Sequence, residues 1–235
     1  AVYLISQGEA PISSLLGFHI LGNHVELINY LLALPYTIYP SVYWLFFIQA
    51  LALSLGALFT WYLALNAGLT KKQSIAMAVV YILYPLIFNV NLFDFHREVI
   101  AVPAFLAAVL AARLKNIVWF SFCVLLILSC KAVLSLTVFA MGIWLLSFEK
   151  RKLAGGIAIT SGLAWFLVTT QLIIPFFSGS EAGAVGRYSY LGDSVLSIAQ
   201  NLIIQPNLVL EQLFSQENIG YLVLLFSPVI LGISF

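Results

Sequence analysis

Charge is the scarcest resource in this sequence. Only 8% of its 235 residues are Asp, Glu, Lys or Arg, while 63% are hydrophobic; soluble domains carry about 25% charge. A soluble fold of this length has no way to hide so much apolar surface, so lipid has to cover much of it. The net charge is +1, which excludes the broad basic field that nucleic acid requires, and no nucleic-acid partner is expected. Cysteine is nearly absent. Cys123 and Cys130 share one apolar run and would sit about 10 Å apart along a helix axis, beyond the reach of a disulfide. The sequence also has no P-loop, G-x-G-x-x-G, H-E-x-x-H or G-x-S-x-G, so soluble-type nucleotide and hydrolase chemistry is not expected. The chain begins at Ala1 rather than Met and stops at Phe235 inside an apolar run, as expected of a piece of a longer protein.

What the sequence has instead is long hydrophobic runs. Residues 41–66 contain no charge and have Tyr43 and Trp44 near one end and Trp61 and Tyr62 near the other, as a span with interfacial anchors would. Further spans are predicted over 73–92, with Pro85 as a kink, over 98–114, over 153–177, and from 218 onward. Residues 27–39, with Pro35, suit a re-entrant or tilted segment. The run 116–147 is longer than one ordinary span and has Lys131 at its centre. Charge bias decides its path. Lys71, Lys72, Arg113, Lys115, Lys150, Arg151 and Lys152 lie in short loops and should share the cytoplasmic side. An even number of crossings must then separate Lys115 from Lys150, so the run is predicted to be a hairpin turning at Lys131, with its turn in a protein-lined cavity.

The same parity places His19, His24, Glu26, Asp94, His96, Arg97, Glu98 and Lys131 on the outer face, together with a loop over 178–217. In that loop Asp193 or Ser194 is expected to cap one short amphipathic helix, and a second is expected over Leu208–Phe214. The reading is therefore an all-α polytopic membrane protein. It is one membrane domain over 1–235 with an extracytoplasmic loop region over 178–217, and with its polar site facing outside.

Two outer segments could carry chemistry. Asp94-Phe95-His96-Arg97-Glu98 has a plain reading as a helix start, with Asp94 as N-cap, Glu98 in the first turn and Arg97 reaching the headgroups. That reading leaves His96 unexplained. The alternative makes Asp94 and His96 metal ligands or an acid–base pair. His24 and Glu26 repeat the spacing of Asp94 and His96, and the four together offer two imidazoles and two carboxylates to a divalent ion. Lys131 costs a few kcal/mol in an apolar run unless paired; Asp94, Glu98, Glu26 or a phosphate are its candidate partners. Arg187 with Tyr188 and Tyr190 could clamp a phosphate or stack on a sugar; an exposed loop arginine beside interface tyrosines is the simpler alternative.

These residues also form a recognisable order. G-N-H-V-E-L precedes the proline-broken L-P-Y-T-I-Y-P. A long span follows, then L-Y-P and F-D-F-H-x-E, a lone lysine in a hydrophobic run, P-F-F, and R-Y-S-Y-L-G. The chain resembles the bacterial polytopic membrane proteins grouped as domain of unknown function 2079, over most of residues 17–230. That family looks distantly similar to GT-C glycosyltransferases, which use lipid-phosphate-linked sugars at an extracytoplasmic site, often with a divalent ion. The resemblance implies a GT-C-like helical bundle, membrane lipids and a polyprenyl-phosphate sugar as partners, and an outer site. In that site Asp94, His96 and Glu98 would be catalytic. Lys131, Arg187, Tyr188 and Arg97 would bind substrate, and His24, Glu26, Asp94 and His96 would hold the metal. The chain departs from the family pattern at Arg97, where proline is usual, and at Ala132 and Val133, where acidic residues often follow the lysine. A transporter and a non-catalytic assembly protein are the rival classes.

Overall fold

The structure is a computed structural model that describes residues 1–179 and 185–231. Among these residues the chain is helical throughout, with no strand beyond one isolated bridge between Ile12 and His19. After a short α1 (Val2–Ser6) come α2 (Ile28–Ile38), α3 (Tyr43–Asn66), α4 (Lys71–Leu83) and α5 (Pro85–Leu92). Next are α6 (Ala101–Arg113), α7 (Ile117–Cys130), α8 (Leu134–Ser147) and α9 (Lys152–Val168). The chain closes with α10 (Ile174–Ser178), α11 (Val195–Ile204), α12 (Pro206–Leu213) and α13 (Gln216–Leu231).

Among the described residues two helical stretches, Tyr43–Asn66 and Lys152–Ser178, are long and apolar enough to cross a membrane, and three if α4 and α5 count as one bent span. The second stretch continues from α9 into α10 through a π-turn at Thr169–Ile173. Pro85 explains the 44° bend between α4 and α5. It starts α5 at its first residue, where a missing N–H costs nothing, and it forces Tyr84 into an extended conformation.

The 116–147 run is the hairpin that the charge bias requires. α7 ends at Cys130, Lys131 is extended, and α8 starts at Leu134. The predicted span over 98–114 is shorter than expected. The chain stays extended through His96 and then makes a 3-10 turn at Arg97–Ile100. That leaves α6 with 13 residues, about 20 Å, which is too little to cross about 30 Å of hydrocarbon alone.

The core lies between α3, α6, α7, α8 and α9. α6 presents a seam of buried alanines, including Ala101, Ala104, Ala108 and Ala111, which lets its neighbours approach closely. The tightest pairing is α8 against α9. A methyl group placed on Gly162 would stand 2.6 Å from the Ser135 carbonyl oxygen and 2.8 Å from the Phe139 amide nitrogen, and both obstacles are backbone. At the end of α7, Trp165 Nε1 donates to the Leu128 carbonyl at 3.0 Å. That carbonyl is one of the terminal groups the helix cannot satisfy itself.

In the region 178–217, Ser194 and not Asp193 caps α11, in a capping box with Ser197. The second short helix begins two residues earlier than expected, because Pro206 occupies its first position. Val185 packs against the cluster of Val25, Ala132 and Ile174.

Gly162→Ala is expected to destabilise the protein by about 1–3 kcal/mol through overpacking at a backbone contact. Thermal unfolding in detergent should show it as a clear fall in Tm. Gly156→Ala, where a methyl group would meet nothing within 4 Å, should leave Tm unchanged.

Candidate functional site

One end of the bundle gathers the polar residues of three segments far apart in sequence: residues 23–29, residues 94–100, and the α7–α8 turn. Backbone ties bring them together. The Ala132 N–H donates to the His24 carbonyl at 2.8 Å, joining the turn to the first segment. Gln49, fully buried in α3, holds the second. Its Nε2 donates to the Val90 carbonyl at 3.2 Å, and its Oε1 accepts from the His96 N–H at 2.9 Å. Only one orientation of the amide satisfies both partners, so Gln49 fixes the end of α5 and the approach to the 3-10 turn at once.

Two ion pairs span the cluster. Arg97 reaches Glu26 at 3.0 Å and donates from Nε to Asn29 Oδ1 at 2.6 Å. Asn29 Nδ2 closes the triangle onto Glu26 Oε2 at 3.3 Å. Glu26 and Asn29 are buried, so this triangle is structural in character: each polar group has its partner. The second pair is Lys131 Nζ with Glu98 Oε1 at 2.8 Å, both side chains partly exposed. Burial alone would push the Glu98 carboxyl up. The hydrogen bond and charge of Lys131, with the turn's own backbone, outweigh it and hold the carboxyl below its ordinary value.

Asp94 and His96 are locally tied. Asp94 Oδ1 accepts from the Phe95 N–H at 2.7 Å. His96 Nδ1 lies 2.7 Å from the Asp94 carbonyl oxygen. A carbonyl can only accept, so Nδ1 must be the protonated nitrogen, and the neutral ring then keeps its lone pair on Nε2. His96 also lines an apolar cleft of about 490 Å³ between α3, α5, the 3-10 turn and α6. Leu53, Ile87 and Val99 form its walls, and His96, Glu98 and Asn89 are its polar groups. The Phe93 ring packs near the imidazole with centroids 5.5 Å apart.

Several expectations change here. Asp94 is not the helix N-cap; His96 holds that position for the 3-10 turn without a side-chain bond, because the chain is still extended there. Arg97 does not reach toward headgroups but is drawn inward by Glu26 and Asn29. The proposed metal set does not come together. Glu26 is spent on Arg97 and Asn29, and Asp94 and His96 serve their own turn. Among the described residues no three His, Cys, Asp or Glu side chains assemble as ligands. Tyr188 ends a 3-10 turn at Val185–Tyr188 and is exposed. Arg187 belongs to that turn, and its side chain lies outside what is described. His19 plays a packing part: its ring stacks on Phe177 at 4.5 Å. Gln49 and Asn29 are the residues that sequence reasoning missed. The signal for Gln49 was present, since an amide in a charge-free span needs partners.

The class that fold and site define is an all-α polytopic membrane protein with a paired polar cluster beside an apolar cleft. The chain belongs to the family described as predicted membrane protein, DUF2079, whose model matches residues 1–235. No curated protein and no solved structure matches it.

The depressed Glu98 carboxyl has a pH consequence. Its contribution to stability is fully present above the unfolded carboxylate range, near pH 4–5, and is lost as pH falls through the lower folded value. In Lys131→Gln burial, which raises the carboxyl, is opposed only by the turn's own backbone and by His96, so the carboxyl rises relative to the wild type. The acid-induced loss of thermal stability is then expected to begin at higher pH than in the wild type, as read by unfolding in detergent between about pH 3 and 7. An unchanged onset would show that the pair is not coupled.

Proposed function

We propose that the protein is a GT-C-like membrane glycosyltransferase that takes a sugar from a polyprenyl-phosphate donor at an extracytoplasmic site. The observation that carries this reading is the junction of an apolar cleft with a polar end holding His96 and Glu98, the latter paired to Lys131. A lipid-linked phosphate has the same two parts, a hydrocarbon tail and an anionic head. In the proposed complex the tail lies along Leu53, Ile87 and Val99, and the phosphate takes Lys131 from Glu98.

The roles then follow from chemistry. A sugar–phosphate bond breaks more easily when a cation neutralises the charge that develops on the leaving phosphate; Lys131 supplies it, with Arg187 as a second cation and Tyr188 beside the sugar. Glu98, released from Lys131, or the lone pair on His96 Nε2 accepts the proton from the attacking hydroxyl. Asp94 positions His96 through its carbonyl, and Arg97 positions the 3-10 turn through Glu26. No step in this reading is routed through a divalent ion.

The test is a reconstituted assay with polyprenyl-phosphate sugars. His96→Ala is expected to lower turnover at least about 100-fold, as loss of a general base does. Lys131→Gln should lower kcat/KM by about 10- to 100-fold, the worth of a charge-assisted hydrogen bond. Equal turnover in wild type and both variants would remove these residues from the chemistry. Substrate-dependent uptake into sealed vesicles, with no transfer, would instead make the protein a carrier.

A further inference from the structure

The opposite end of the bundle carries a second cleft, of about 290 Å³, between the α6–α7 turn and the α8–α9 turn. Lys115 comes to it from one turn, and Lys150, Arg151 and Lys152 from the other. One carboxylate stands nearby, Glu149, and Arg113 occupies it: Arg113 Nε lies 3.1 Å from both oxygens. Among the described residues the remaining four cations have no carboxylate within ion-pair distance. Arg151 is further committed to this place. One of its terminal nitrogens donates to the Arg113 carbonyl at 2.8 Å, while its buried Nε has no partner.

The local helix ends make the imbalance worse. α9 starts in the middle of this group, with Arg151 as N-cap and Lys152 as first residue. No side chain caps it, and its first turn contains no acid. A helix N-terminus is itself positive and favours anions, so cations gathered there repel one another and the dipole. Lys115 and Lys150 also hold left-handed backbone, with φ of 59° and 54°, where glycine or asparagine would cost less. Charge of one sign, unpartnered and drawn into one cleft by two separate turns, is complementary to an anion.

The setting selects the kind of anion. Leu114 and Leu153 flank the cations and are 61% and 67% exposed, and apolar helices run away from them. Exposed leucine beside lysine at the end of a membrane helix fits the boundary between headgroups and acyl chains.

We propose that this cleft binds the headgroup phosphate of an anionic phospholipid, held by Lys115, Lys150, Arg151 and Lys152, with the acyl chains lying against Leu114 and Leu153. This site is independent of the polar cluster at the other end. By the charge bias of the loops it belongs to the cytoplasmic leaflet.

The experiment uses the full chain, purified and delipidated, with phosphatidylglycerol or phosphatidylcholine added back and bound lipid read by native mass spectrometry. Retention of phosphatidylglycerol over phosphatidylcholine is expected in the wild type. In Lys150→Gln with Lys152→Gln, phosphatidylglycerol affinity should fall about fivefold for each lysine removed. The control pair Lys71→Gln with Lys72→Gln, at the start of α4, should leave it unchanged, as should the weak phosphatidylcholine signal in every variant. Lys115→Gln, from the other turn, serves as a second variant if the double change alters helicity. Equal retention in wild type and cleft variants overturns the proposal. So does an equal loss in the control pair, which would show general surface attraction. Displacement of phosphatidylglycerol by millimolar inorganic phosphate would assign the cleft to a free anion and overturn the lipid.

Discussion

An ionised group among apolar helices must find its countercharge or be forced toward neutrality, and the polar end of this bundle is organised around that requirement. Lys131 sits where α7 and α8 would otherwise form one continuous apolar run. Its ammonium is held by Glu98, which lies in the turn leading into α6. Because the two residues come from different parts of the chain, satisfying the charge also fixes the hairpin against the entry of α6. Arg97, next to Glu98, does the same toward Glu26 at the start of α2. Two neighbouring positions in one short turn therefore tie three segments together by charge. Removing Arg97 would leave the buried Glu26 without its countercharge, whereas the partly exposed Lys131–Glu98 pair would be compensated in part by water.

Neutral groups complete what the ion pairs begin. Gln49 lies deep in a helix that carries no charge, and its amide serves a carbonyl left open at the end of α5 and the amide of His96. In water such bonds would contribute little. In an apolar setting an unmet carbonyl or amide costs several kcal/mol, so one glutamine can decide where an extended segment lies. The imidazole of His96 inherits its orientation from that placement, and its tautomer from the Asp94 carbonyl. The direction in which Nε2 faces is thus set by two bonds, one from the His96 N–H to Gln49 and one between Nδ1 and the Asp94 carbonyl.

Much of this was legible in the sequence, for identifiable reasons. The hairpin at Lys131 followed from the sidedness of the basic loops, a rule that does not depend on contacts. The bend at Pro85 followed from proline geometry, and the length of α3 from its anchors. The gathering of His24, Glu26, Asp94–Glu98 and Lys131 at one end followed from counting crossings. What was not legible was partner choice. Glu26 could pair with Lys131 or join a metal set on spacing alone; its actual partner, Arg97, becomes visible only when Asn29 is seen completing the triangle. The start of α6 was misjudged because capping patterns assume that a helix begins at once, whereas Gln49 keeps His96 extended. Sequence patterns report periodicity and side well, and long-range pairing poorly.

The two ends of the bundle treat charge in opposite ways. At the polar end Arg97 and Lys131 each have a carboxylate, so an incoming anion would have to exchange a partner there. An exchange of this kind is reversible and selective, since the incoming anion must outcompete Glu98 for the ammonium. At the basic end, among the described residues, Arg113 claims the one nearby carboxylate and the other cations have none within ion-pair distance, so an anion would add without displacing anything. The first arrangement suits turnover, in which a ligand must leave again. The second suits a standing association, and in a membrane the anion always present in excess is the phosphate of the surrounding lipid.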